Sequence, residues 1–217
     1  GNSSQSVLGT SLTIFDNLVI ENNAGVNLHS NITANGELNL TAGNLNVGEM
    51  VLGINGTIIK SAGFLDVNPQ SSLNFGGSSA LNIPDDLFLS MPSINNLTIN
   101  RTGGVNLGNQ NLTVNGLLDL SAGVLSLGAN TLTISGSSPT RISGTIDGSN
   151  SGATLAFTNS SAITLPASIF SGSLNNLTIN GTGGITSPDD FVVNGVLNLQ
   201  SENPSATKGS LDMWDGA

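Results

Sequence analysis

Leu97-Thr98-Ile99, Val105-Asn106-Leu107, Leu112-Thr113-Val114, Leu118-Asp119-Leu120, Leu125-Ser126-Leu127 and Leu132-Thr133-Ile134 follow one another with starts six to eight residues apart. Each triplet alternates apolar, polar, apolar, which is the period of a short strand with one buried face. Gly, Asn and Ser fill the gaps, and these residues accept the backbone angles that corners require. Strands this short bury little as hairpins, but a coil that turns after each triplet stacks every strand on one in the next coil. Three strands per coil predict roughly 20–22 residues per turn. The whole chain then makes about ten coils and a rod on the order of 50 Å long at the strand-pairing distance. The expected fold is all-β, a right-handed three-faced parallel β-helix, with the hand that parallel crossovers favour. Asn-Gly also suits two-residue hairpins, so a string of β-sandwich modules stands as the alternative.

Working outward, the triplets belong to a longer repeat. Ile94-Asn95-Asn96-Leu97-Thr98-Ile99-Asn100 returns as Leu174-Asn175-Asn176-Leu177-Thr178-Ile179-Asn180, and an earlier copy is Phe15-Asp16-Asn17-Leu18-Val19-Ile20-Glu21. Asn35-Gly36, Asn115-Gly116 and Asn194-Gly195 correspond, as do Leu73-Asn74-Phe75 before Pro84 and Leu155-Ala156-Phe157 before Pro166. Residues 1–217 therefore read as one continuous solenoid with units of about 80 residues at 15–93, 94–173 and, in part, 174–217. Each unit holds 11 or 12 strands. Twelve would present the same face in every unit; eleven would rotate each unit by one face.

Composition narrows the function. With 4% aromatic residues, no Tyr and a single Trp, the core must come from many Leu, Ile and Val contacts, each worth roughly 1.5–3 kcal/mol when buried. A net charge of -10, with Lys60, Arg101, Arg141 and Lys208 scattered, argues against nucleic acid and anionic polymers as partners. Without Cys, disulfides and thiolate metal sites are excluded. No apolar run approaches the roughly 20 residues of a membrane span. Neither end looks like a solenoid cap: polar sequence surrounds Gly1, and Leu211-Asp212-Met213-Trp214 reads as the start of another strand. Open strand edges at both ends are the expectation, with the segment belonging to something longer.

Enzyme chemistry on a solenoid would need carboxylates gathered in one groove. The candidates are Asp85-Asp86 and Asp189-Asp190, each after a proline. Pro-Asp-Asp equally describes a solvated turn, and the two pairs fall out of step in the repeat, Asp85 aligning with Ala167. A pair of Asp also offers too few ligands for calcium. His29 is the only histidine, which rules out a His-based triad or multi-histidine metal site; it reads as a solvent-facing residue after Val26-Asn27-Leu28. Arg101 and Arg141 lack evident partners for a clamp on acidic sugars. Ten Asn-x-Ser/Thr sequons, among them Asn31, Asn55, Asn96, Asn111 and Asn176, follow from a composition rich in those residues. No catalytic, cofactor-binding or metal residue is assigned, and no cofactor is expected.

Outward threonines in Leu97-Thr98-Ile99, Leu112-Thr113-Val114, Leu132-Thr133-Ile134 and Leu177-Thr178-Ile179 suggest an ice-binding array. Val19, Asn106, Asp119 and Ser126 at matching triplet centres read as interruptions of it.

Asn96-Leu97-Thr98-Ile99-Asn100 with Gly103-Gly104-Val105, then Asn111-Leu112-Thr113-Val114-Asn115-Gly116, resembles the repeats of large secreted and cell-surface, adhesin-like proteins of Bacteroidota, substrates of type IX secretion. The closing Asn194-Gly195-Val196-Leu197-Asn198-Leu199-Gln200-Ser201 through Asn203-Pro204-Ser205-Ala206-Thr207-Lys208-Gly209 is similar to them as well. The resemblance implies a secreted or surface location and a rigid stalk, or a role in adhesion or gliding. Its expected partners are surfaces, glycans or neighbouring copies. The rival reading is a polysaccharide-active β-helix enzyme.

Overall fold

A computed structural model of the chain describes residues 1–200 and the backbone strand Leu211–Met213. Asn203-Pro204 through Gly209, and Trp214, lie outside the described residues. Among those described there is no helix, and short strands stack as a parallel β-solenoid of about nine turns, roughly 21 residues per coil. Every ladder between the described strands runs parallel, as in Leu112-Thr113-Val114 on Leu132-Thr133-Ile134. A hairpin requires antiparallel neighbours, so the sandwich alternative is overturned.

The apolar members of each triplet point inward. Leu97, Ile99, Leu118, Leu120, Leu125, Leu132 and Ile134 are fully buried, and one continuous apolar cluster runs from Ile20 to Ile185. One column shows the stacking: Thr13 on Ile32, Ile32 on Leu52, Leu52 on Leu73, Leu73 on Leu97 and Leu97 on Leu118, at steps of 19, 20, 21, 24 and 21 residues. The corners are bonded from coil to coil. Asn17, Asn96 and Asn176, equivalent in the repeat, each accept a hydrogen bond at Oδ1, from the backbone N–H of Glu37 (2.7 Å), Leu117 (2.8 Å) and Val196 (2.9 Å) in the next coil. Asn31 and Asn111 do the same for Val51 and Thr131. The asparagines of the repeat thus satisfy backbone donors that the short strands leave free at the turns. At another recurring corner Gly25, Gly104 and Gly184 all take positive φ, 84°, 81° and 69°, the left-handed conformation only glycine adopts cheaply.

The repeat does not stack face upon face. Strand Leu18–Glu21 lies in a three-stranded sheet with Glu37–Ala42 and Thr57–Lys60. Its counterpart Leu97–Arg101 lies in a seven-stranded sheet, on the column begun by Thr13–Phe15, Ile32–Ala34 and Val51–Ile54. The third counterpart, Asn176–Ile179, lies in a six-stranded sheet with Leu112–Val114 and Thr131–Ile134. The change happens where Leu73-Asn74-Phe75 pairs with Leu97-Thr98-Ile99, and again where Leu155-Ala156-Phe157 pairs with Leu177-Thr178-Ile179. From Leu18–Glu21 through Ser93–Ile94 there are eleven strands and from Leu97–Arg101 through Ile163–Thr164 ten, neither a multiple of three, and the strands equivalent in the repeat fall on a different face in each unit. The longest step of the column, Leu73 to Leu97, accommodates this. Within it Phe88 bridges to Leu65 before Ser93–Ile94 starts a new column.

This rotation corrects the reading of the threonine triplets. Val19 belongs to the three-stranded sheet, Asp119 to the seven-stranded sheet, and Asn106 and Ser126 to a four-stranded sheet. None of them lies in the six-stranded sheet that holds Thr113, Thr133 and Thr178. Residues related by sequence are separated in space, because the strand count per unit is not a multiple of the face count.

Candidate functional site: a crevice in each unit

Where a unit turns, the extended segment after a proline cannot follow the corner of the next coil, and a shallow crevice opens between them. The end of the first unit shows the construction. Pro84 leads into Asp86, which takes φ 52°, and Leu87-Phe88-Leu89 then hydrogen-bonds to both sides of Leu65. The next corner, Asn109–Asn111, faces Asp86, Phe88 and Met91 across the crevice. Gln110 closes its inner wall, nearly buried, with Nε2 donating to the Pro84 carbonyl at 2.6 Å.

The end of the second unit repeats this design. Ser168 occupies the place of Asp86 with φ 53°, and Ile169-Phe170-Ser171 bonds to Ile146 as Leu87-Phe88-Leu89 bonds to Leu65. Asp189 and Asp190 face it from the next corner, and the Asp189 carboxylate accepts a hydrogen bond from the Ser168 backbone N–H. Phe170 and Phe191 meet edge to face, with ring centroids 5.2 Å apart. The crevice encloses about 280 Å³, below or at the lower end of the range for small-molecule sites. Near the N-terminal end the corresponding crevice lies between Gly9–Leu12 and His29–Asn31.

His29, Asp86, Asp189 and Asp190 therefore line crevices, but three different ones, and Asp85 lines none of the three. His29 is in the first, Asp86 in the second, and Asp189 with Asp190 in the third. Successive crevices are about 80 residues apart, which is about four coils or roughly 19 Å along the axis, and are turned by one face. Asp85-Asp86 and Asp189-Asp190 do not converge on one groove. The φ of Asp86 gives that residue a backbone role, since a short polar side chain is among the few that tolerate the left-handed region. The Phe170–Phe191 pair was not read from the sequence; its signal was an aromatic residue within four positions of each proline, Pro166 and Pro188.

The two arginines are held by backbone carbonyls. Arg101 is 1% exposed, and its guanidinium donates to the carbonyls of Ser79 and Gly76 one coil below and of Asn55 and Gly56 two coils below. Burial pushes its pKa below the usual guanidinium value, yet an arginine remains charged at neutral pH. It is an internal strut and is closed to ligands. Arg141 donates from Nε to the Gly144 carbonyl at 2.7 Å, closing a local turn. The position equivalent to Arg101 in the first unit is Asn22, also buried, which bonds Ser3 and Gly25 carbonyls.

Among the described residues no helix is long and apolar enough to cross a membrane, and no three His, Asp or Glu side chains gather as a metal-ligand set. No family profile, curated protein or solved structure matches the chain.

Proposed function

We propose that the chain is a non-catalytic structural or adhesive segment of a secreted bacterial surface protein, a rigid stalk or spacer that holds its outer faces at fixed spacing. The observation that carries this reading is the single apolar cluster from Ile20 to Ile185. Each coil is locked to its neighbours by that core, by parallel ladders and by asparagine bonds at the corners, so a load or a contact at one face acts on a stiff body. The candidate carboxylates support the same reading, because the two aspartate pairs do not converge on one groove, where glycoside hydrolysis on a solenoid would gather them. The secreted, cell-surface location rests on the resemblance of the repeats to adhesin-like proteins. Surfaces, glycans or neighbouring copies are the partners it supports.

The rival is a polysaccharide-active solenoid using Asp189, Asp190 and the Phe170–Phe191 wall. Incubation with acidic and neutral polysaccharides, followed by measurement of new reducing ends, separates the two. The expected result is no release. Release that disappears in Asp189→Asn/Asp190→Asn or in Asp85→Asn/Asp86→Asn would overturn the structural reading.

A further inference from the structure

We infer that the six-stranded sheet is an ice-binding face. This deepens the adhesive reading above and rests on it, by naming the face and the surface it fits. Along that sheet the strand-centre positions opposite the core are Ser93, Thr113, Thr133, Ala156, Thr178 and Asn198, stacked in register, with Ala156 a buried break between Thr133 and Thr178. Beside them runs a second file two residues earlier, Thr131, Thr154 and Asn176, with Asn111 bonded to Thr131 below it. Inward neighbours Leu112, Val114, Leu132, Ile134, Leu155, Phe157, Leu177 and Ile179 are buried, which fixes the outward direction of the others.

Two properties set this face apart. It carries no charged residue in either file. The strand-centre column of the seven-stranded sheet, by contrast, reads Ile14, Thr33, Gly53, Asn74, Thr98, Asp119 and Thr140, and that of the four-stranded sheet ends at Asp147. Its groups are short, and threonine is stiff at χ1, so hydroxyls and methyls stand at fixed points. Like the other sheets of the solenoid, it also imposes a lattice: strands about 4.8 Å apart, here over six strands, and files about 6.6 Å apart, twice the rise per residue.

The chemistry of the partner follows. Lipid headgroups, nucleic acid and mineral ions are recognised by charge, which this face lacks. A neutral, two-dimensional array of hydroxyl, amide and methyl groups, bordered at its first strands by Met91 and Pro92, instead fits a solid whose surface is itself a neutral lattice of donors and acceptors. The strand spacing lies close to an oxygen repeat of hexagonal ice. Water held in ranks between the two files would join that lattice with its hydrogen bonds intact.

The test is partition of the fluorescently labelled chain into a slowly growing ice hemisphere, beside a label-matched non-binding protein, with circular dichroism to check folding. Enrichment in ice of severalfold over the control is expected. Thr113→Lys/Thr133→Lys should fall to the control's level, while Thr98→Lys, on the seven-stranded sheet, should retain the enrichment. Absence of enrichment in the unaltered chain, or equal loss in Thr98→Lys, would overturn the ice face. Co-sedimentation with insoluble neutral polysaccharide without any ice enrichment would overturn it too, while leaving the adhesive reading standing. Release of reducing ends from polysaccharide would remove both.

Discussion

Arg101 Nη2 donates a 2.8 Å hydrogen bond to the carbonyl of Gly56, 45 residues earlier in the chain and two coils below it. Together with its bonds to Asn55, Gly76 and Ser79, this makes one side chain a tie across three successive coils at the place where the first unit turns into the second. A buried carbonyl that loses its donor costs about 1–3 kcal/mol. Arg101→Met should therefore destabilise the chain by about 2–5 kcal/mol, and Arg101→Lys, which keeps the charge without the planar fork, should recover less than half of that. Urea unfolding with amide exchange at residues 54–57 and 76–79 checks it; unchanged protection there would show the tie to be dispensable.

Asn96 presents its Oδ1 to the Leu117 N–H at 2.8 Å. Replacing it with Ala leaves a turn donor without its partner and should cost about 1 kcal/mol. Asp in its place keeps the acceptor and should cost less. Equal thermal midpoints for Asn96→Ala and Asn96→Asp would rule out the bond as the reason for the asparagine.

Gly123 has φ 79°, and a Cβ there would run into the Arg101 carbonyl, while a Cβ on Gly172 meets nothing within 4 Å. Gly123→Ala should lose more than the roughly 1 kcal/mol that a left-handed Ala costs by itself, since backbone must also move. Gly172→Ala should be neutral or slightly stabilising. Denaturant midpoints of the two variants should differ clearly, and similar values would contradict the corner geometry.

Asp86 at φ 52° supplies a conformation. Asp86→Gly should keep or slightly raise stability, and Asp86→Val should lose about 1–2 kcal/mol. If instead both variants lose a measurable ligand or activity while folding normally, the carboxylate is the reason for the residue.

Much of this was legible in the sequence, and the reason is local. Whether Leu97, Ile99, Leu132 or Ile134 faces inward depends on the strand period alone, and the triplets state it directly. Corner chemistry was legible for the same reason at Gly104 and Asn96. Arg101 was not: its partners are backbone carbonyls in two other coils, and a carbonyl leaves no mark in a sequence. The crevices were half legible. Pro-Asp-Asp signalled a turn at Asp86, but the facing of Phe170 on Phe191 depends on how the next corner lands.

The sequence by itself determined the strands, the parallel stacking and the roughly 21-residue coil, because alternation and corner residues act within a few positions of the chain. Only the tertiary structure decided which residues share a face. Eleven strands in the first unit on a three-sided coil leave a remainder, and that remainder is settled by whether Leu73-Asn74-Phe75 pairs with Ser93-Ile94 or with Leu97-Thr98-Ile99, a choice of packing between coils. The chain takes the second. As a result Thr98 and Thr178, identical in the repeat, stand on different faces, while Thr113, Thr133 and Thr178 come together on one.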